Sequence, residues 1–175
     1  MYDDESNGEG NIVTLEPVLV AGCWRPSDDP VDTFHPVNPM TREPIEAEYP
    51  VSDWSELEEV VQAGVEAAEI LRDLAPEVIA TFLEAFADAL EARTEALVSM
   101  AHRETALPSE PRLRSGELPR TTDQLRQAAA AVRDRSWCRA TIDTARNIRS
   151  MYESLGGPVV VFGPSNFPYA FNAVS

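Results

Sequence analysis

Near the end of this 175-residue chain, Val159-Val160-Val161-Phe162 form an unbroken apolar run between Gly156-Gly157-Pro158 and Gly163-Pro164-Ser165-Asn166. Three β-branched residues and an aromatic favour a strand, and the lack of polar alternation points to a parallel strand buried on both faces. Gly163 to Pro168 then reads as a turn, with Pro168 at the start of a helix through Tyr169, Phe171 and Val174. A parallel strand needs neighbours and a complete crossover helix, so this ending is expected to be a cut through a larger fold. In open α/β sheets, ligands bind outside the carboxyl ends of strands. That places Asn166 as an amide donor for an oxyanion and Gly163 as a point of close backbone approach. The same residues also fit a sharp turn in which Asn166 satisfies its own backbone.

The preceding chain is expected to be helical and extended. Residues 1–10 are acidic, rich in Gly and Asn, and read as a disordered tail. Residues 11–157 follow as one unit and 158–175 as an incomplete sheet unit. Ile12 to Ala21 reads as a strand with an edge or bulge at Pro17, and residues 24–33 as a Pro/Asp loop. Phe34–Pro39 and Ile45–Tyr49 read as a hairpin around Asn38-Pro39-Met40-Thr41. Asp53 and Glu56 resemble a capping box for a helix over 54–72. Its stripe of Leu57, Val60, Val61, Val65, Ala68 and Leu71 is expected to face a core. Pro76 opens the next helix, which continues to Ala101. Residues 107–120 are broken by prolines. Thr121 with Gln124 can cap a further helix whose Ala-rich face permits close packing. Residues 139–157 read as irregular.

Charge narrows the function classes. There are 14 basic residues, all arginine, against 30 acidic ones, giving a net charge of −16. The acid is concentrated in residues 1–100, with 23 carboxylates against 4 Arg; residues 101–175 hold 7 against 10. Such a balance argues against nucleic-acid binding, which depends on neutralising phosphates, and against anionic membranes. No apolar run is long enough to span a bilayer. Cys23 and Cys138 lie far apart, outside any CxxC or zinc spacing, so no metal site is expected. His35 and His102 read as structural or exposed. The acidic start has no signal-peptide pattern, making the cytoplasm the expected location. No P-loop, HExxH, GxGxxG or GxSxG is present.

The segment Gly157-Pro158-Val159-Val160-Val161-Phe162-Gly163-Pro164-Ser165-Asn166-Phe167-Pro168 resembles the first strand and turn of the cofactor domain in the aldehyde dehydrogenase superfamily. FHPVNPMTREPI (34–45) resembles its N-terminal hairpin, HRETALP (102–108) a helix end, and RTTDQLRQAAAAVRDRSW (120–137) the 2-oxoglutarate semialdehyde dehydrogenase branch. Together they cover about residues 31–175. The resemblance implies an α/β fold (α+β as truncated): N-terminal helical and extended segments entering the first strand of a Rossmann-like domain.

It also implies NAD- or NADP-dependent oxidation of a small-molecule aldehyde to a carboxylic acid. A cysteine thiolate attacks the carbonyl, and a Glu-activated water releases the acid. Asn166 falls on the family's oxyanion-stabilising Asn. Phe162, Gly163, Pro164 and Ser165 fall on the loop lining the cofactor. Neither Cys23 nor Cys138 matches the nucleophile, the general-base Glu has no counterpart here, and the ribose-contacting Lys cannot, since the chain has no Lys. The expectation is therefore an N-terminal fragment, inactive alone. The alternatives are a non-catalytic protein that pairs with a full-length homologue or with itself, and an acidic soluble domain with no retained activity.

Overall fold

The computed structural model describes residues 15–174; the expected tail over 1–10 and the first part of the expected strand from Ile12 lie outside them. The described chain opens with two small antiparallel hairpins. In the first, β1 (Val18–Val20) pairs with β2 (Cys23–Arg25), Val20 lying opposite Cys23. Ala21 and Gly22, both with positive φ, form the two-residue turn that matches the right-handed twist of a hairpin. In the second, β3 (Asp32–Phe34) pairs with β4 (Tyr49–Val51), and a bridge joins Val37 to Pro44. This is the hairpin read from residues 34–49, its ladder displaced outwards to both ends. Phe34 stacks on Tyr49 across the strands, with ring centroids 5.6 Å apart.

Helix α1 (Trp54–Asp73) starts at Asp53, whose Oδ1 accepts the Glu56 N–H at 2.7 Å. Only this half of the capping box forms. The Glu56 side chain is buried and turns away, accepting Ser27 Oγ at 2.7 Å and facing Arg25 at 3.8 Å, so it fastens the first hairpin to the helix. The apolar stripe of α1 departs from expectation: Leu57, Val60, Val61, Val65 and Leu71 are exposed. Periodicity marks a face that favours burial, but among the described residues little packs on it.

The single helix expected from Pro76 to Ala101 is two. Helix α2 (Pro76–Ala92) ends at Arg93, whose φ of −109° and ψ of 14° break the run, and α3 (Thr94–Thr105) follows. A wide helical turn, Ser109–Glu117, leads into α4 (Leu118–Asp134). Thr121 does not cap α4. The helix begins three residues earlier, and the buried Thr121 hydroxyl instead donates to the Glu117 carbonyl at 2.8 Å. Pro119 suits the first turn, where its missing N–H has no partner to lose.

The main packing is α2 against α4. Ala80, Ala87 and Ala129 are fully buried, and Leu125 nearly so, giving the close approach that the Ala-rich face predicts. Arginines of α4 brace the exposed edge. Arg126 spans Asp88 (2.7 Å) and Glu91 (2.6 Å), while Arg133 forks onto Glu77 (2.7 Å) and Glu84 (2.5 Å). A guanidinium offers the paired donors this bridging needs.

Hydrogen bonds from Arg126 and then Thr122 hold the Glu91 carboxyl down to about 2; Arg133 likewise lowers Glu77 and Glu84. A depressed carboxyl contributes stability that is complete above its unfolded value of 4.5 and is lost as pH falls towards the folded one. The α2–α4 pair is therefore expected to loosen between about pH 4.5 and 2. Circular dichroism during an acid titration checks this. Arg126→Gln should flatten that window, and an identical titration curve for the variant would contradict the assignment.

Three stretches differ from the sequence reading at the C-terminal side. Residues 139–157 contain a hairpin, β5 (Thr141–Asp143) with β6 (Ile148–Ser150), closed through Asn147 at φ 52°. Residues 158–163 have no ladder partner among the described residues, and Phe162 is 93% exposed instead of buried. Apolar composition can favour a strand, but only neighbouring strands bury it. After Pro168 the chain makes consecutive turns rather than a regular helix, with one helix-like bond from Ala173 N to Tyr169 O at 2.8 Å.

Candidate functional site

Asn166 is exposed on the turn after the apolar run, and its side-chain amide has no hydrogen-bond partner among the described residues. It does not satisfy its own backbone, so the group stays open to a ligand. Phe162, Gly163, Pro164 and Ser165 precede it and are also exposed. Gly163 is a point of close approach, though to its own chain. A Cβ there would collide with the Asn172 side chain, whose amide donates to the Pro168 carbonyl at 2.8 Å. The Phe162 side chain stands in solvent at 93% exposure. Pro158 packs near α1, where a Cβ on Gly64 would lie 3.1 Å from the proline Cβ.

The turn is held from below. Glu117, at the junction of the wide turn and α4, is 1% exposed. Its Oε1 accepts the backbone N–H of Tyr169 at 2.7 Å and of Ala170 at 3.0 Å. Its Oε2 accepts Arg112 Nη1 at 2.7 Å, and Arg112 Nη2 donates to the Asn166 carbonyl at 2.7 Å. The Arg112 guanidinium also lies 4.2 Å above the Phe167 ring. Tyr169 reaches the other way, donating its hydroxyl to Leu97 O at 2.6 Å. Burial first, then the charges of Glu104 and Glu117, pushes that phenol up to about 12.

Beside this turn lies a cleft of about 510 Å³ lined by Arg112, Ser115, Glu117, Arg120 and Phe167. Arg120 has no carboxylate partner among the described residues, and its guanidinium approaches Phe167 and Phe171 at 5.8 and 5.9 Å. The arrangement can therefore place a neutral amide donor on a fixed turn beside positive charge. Sequence reasoning singled out Asn166 and its preceding loop as candidates and did not single out Arg112 or Glu117, which hold the turn. Neither belongs to a motif; each gains its meaning from partners about fifty residues away.

Other candidates stand apart. His35 and His102 each direct Nδ1 at a carbonyl, Ala47 O at 3.0 Å and Leu107 O at 2.7 Å. A carbonyl only accepts, so each ring serves as a structural donor. Cys138 is buried and Cys23 exposed, both as free thiols. The described residues contain no group of three His, Cys, Asp or Glu arranged to hold a metal. None of their helices is long and apolar enough to cross a membrane.

Residues 24–175 match the aldehyde dehydrogenase family. The chain belongs to that family. Among curated members, it is 39% identical over 149 residues to alpha-ketoglutaric semialdehyde dehydrogenase 2 of Azospirillum brasilense, covering 80% of this chain and 28% of that protein. It is 32% identical over 148 residues to alpha-ketoglutaric semialdehyde dehydrogenase of Acinetobacter baylyi, with the same coverage. The chain thus spans 28% of the length of these relatives.

Solved aldehyde dehydrogenases share its fold. An NAD-dependent benzaldehyde dehydrogenase from Corynebacterium glutamicum superposes with a TM-score of 0.63 at 16% identity, over 78% of this chain and 28% of that one. An NADP-dependent glyceraldehyde-3-phosphate dehydrogenase from Bacillus halodurans, solved with NADP, gives 0.60 at 24% identity, over 67% and 24%. The helices and small hairpins described above are the N-terminal segments of the aldehyde dehydrogenase fold.

Proposed function

We propose that this chain is the N-terminal part of a longer NAD(P)-dependent dehydrogenase that oxidises 2-oxoglutarate semialdehyde, and that it supplies the oxyanion-binding turn and part of the cofactor loop. The observation that carries the reading is the open amide of Asn166 on a turn anchored through its backbone, in a chain 39% identical to a protein named for that substrate. In this reading the amide N–H donates to the aldehyde oxygen as negative charge develops there, and anchoring the turn beforehand makes that donation effective. Phe162 to Ser165 would hold NAD or NADP through main-chain contacts; the bound cofactor supplies a hydride acceptor. Neither Cys23 nor Cys138 lines the cleft beside the turn, and the 175 residues alone are expected to be inactive.

The test uses purified 175-residue chain and the full-length gene product, each with 2-oxoglutarate semialdehyde and NAD or NADP. Reduced cofactor should accumulate only with the full-length product. Turnover by the 175-residue chain would refute the inactivity, and none by the full-length product would refute the substrate assignment. The exposed apolar face of α1 supports a second reading, in which the chain pairs with a full-length homologue. Co-expression followed by size-exclusion chromatography distinguishes it: a mixed assembly supports pairing, and separate elution excludes it.

A further inference from the structure

We propose that Arg112 and Glu117 are positioning residues for Asn166, acting as one clamp that holds the backbone turn from which its side-chain amide projects. The inference rests on the role given to Asn166 above. The clamp touches every non-proline residue from 166 to 170. Arg112 takes the Asn166 carbonyl and covers the Phe167 ring. Glu117 takes the N–H groups of Tyr169 and Ala170. The Arg112–Glu117 bond closes the circuit at 2.7 Å.

The placement is specific. A carboxylate whose side chain is 0% exposed is costly to bury unless its oxygens find donors, and Glu117 finds three. All three belong either to the turn or to the arginine that holds the turn. The Asn166 carbonyl and the amides of Tyr169 and Ala170 are fixed together, so the chain leaving Asn166 is held along its course. Its side chain meanwhile makes no protein hydrogen bond among the described residues. A held turn that carries an unpaired amide is the scaffold on which a bound oxyanion can orient that donor.

The chemistry of the pair predicts which substitutions uncouple it. In Glu117→Gln, the amide oxygen can still accept from Tyr169 and Ala170, but the amide nitrogen cannot accept from Arg112. Arg112→Lys keeps the positive charge, yet a single ammonium lacks the planar fork that reaches Glu117 and the Asn166 carbonyl together. Both variants preserve size and most contacts, so both are expected to fold.

Two measurements separate this inference from the reading it rests on. In the 175-residue chain, 1H–15N spectra should show the Tyr169 and Ala170 amides protected from exchange. The Asn166 side-chain resonances should shift in both variants. In the full-length gene product, each variant should lower kcat about 100-fold with KM for aldehyde and cofactor within about twofold, since a small misplacement of an oxyanion donor acts on the transition state. The double variant should be no worse than the more severe single one. Unshifted Asn166 resonances in both variants, or an active full-length protein with unchanged kcat in both, would overturn the clamp. A full-length product with no aldehyde turnover would overturn the assigned function instead, leaving the spectra to decide whether the clamp orients Asn166.

Discussion

Glu117→Ala is expected to lower stability by about 3 kcal/mol, or roughly 10 °C in melting temperature for a chain of this length. The substitution leaves two turn N–H groups without their acceptor at a buried position and removes the carboxylate partner of Arg112. The figure sits at the low end for a broken buried pair because the Arg112 side chain retains 28% exposure and can be partly hydrated. Thermal unfolding followed by circular dichroism measures it. Arg114→Ala provides the contrast. Arg114 pairs with Glu95, whose side chain is 80% exposed, and water there replaces the lost partner with a much smaller effect. Equal losses for the two variants would show that burial does not set the strength of the Glu117 network.

Leu113→Ala is expected to cost a similar amount, about 3 kcal/mol, by a different route. Leu113 is completely buried against Val98, Ala101 and Leu118, with Leu97, Leu107 and Tyr169 packed around them. Its removal opens a cavity where α3, the wide turn, α4 and the Tyr169 segment meet. Leu113→Met should recover most of the loss, since it nearly conserves volume. Leu57→Ala on the exposed face of α1 should cost under about 1 kcal/mol. Urea denaturation at neutral pH ranks the three. If Leu57→Ala proved as damaging as Leu113→Ala, α1 would have to be covered in solution.

The contrast between Leu57 and Leu113 shows where sequence reading succeeds. Periodicity located α1 and the starts of α1 and α2, because a 3.6-residue apolar repeat and a capping Asp53 or an initial Pro76 act locally. The same repeat said nothing about what covers Leu57, since the partner of a face is a tertiary fact. Leu113 lies among Pro, Arg, Ser and Gly in a segment without period, yet it is the best-buried leucine of the core. Thr121 looked like a cap from its type and spacing, but Pro119 already favours an earlier start and turns the hydroxyl inward. The β5–β6 hairpin escaped because three-residue strands carry too little alternation to register.

The site divides in the same way. Asn166 and Phe162 to Ser165 stand out as candidates because they form a contiguous segment with a recognisable order of Gly, Pro, Ser and Asn. Glu117 is one of 30 acidic residues, and nothing in Ser115-Gly116-Glu117-Leu118 separates it from the others. It becomes distinctive only when the chain returns, about fifty residues later, with two N–H groups pointing at it.

The run Val159–Phe162, without a ladder partner among the described residues, bears on solution behaviour. Four consecutive uncharged residues of high β propensity, largely exposed, form the kind of segment that can stack edge to edge between copies. Pro158 and Pro164 bound it closely, and neither can donate a hydrogen bond to a growing ladder. The sticky window is therefore held below the roughly six residues that a stable cross-β zipper uses. These two prolines thus serve as gatekeepers, limiting self-association while the run lacks neighbouring strands.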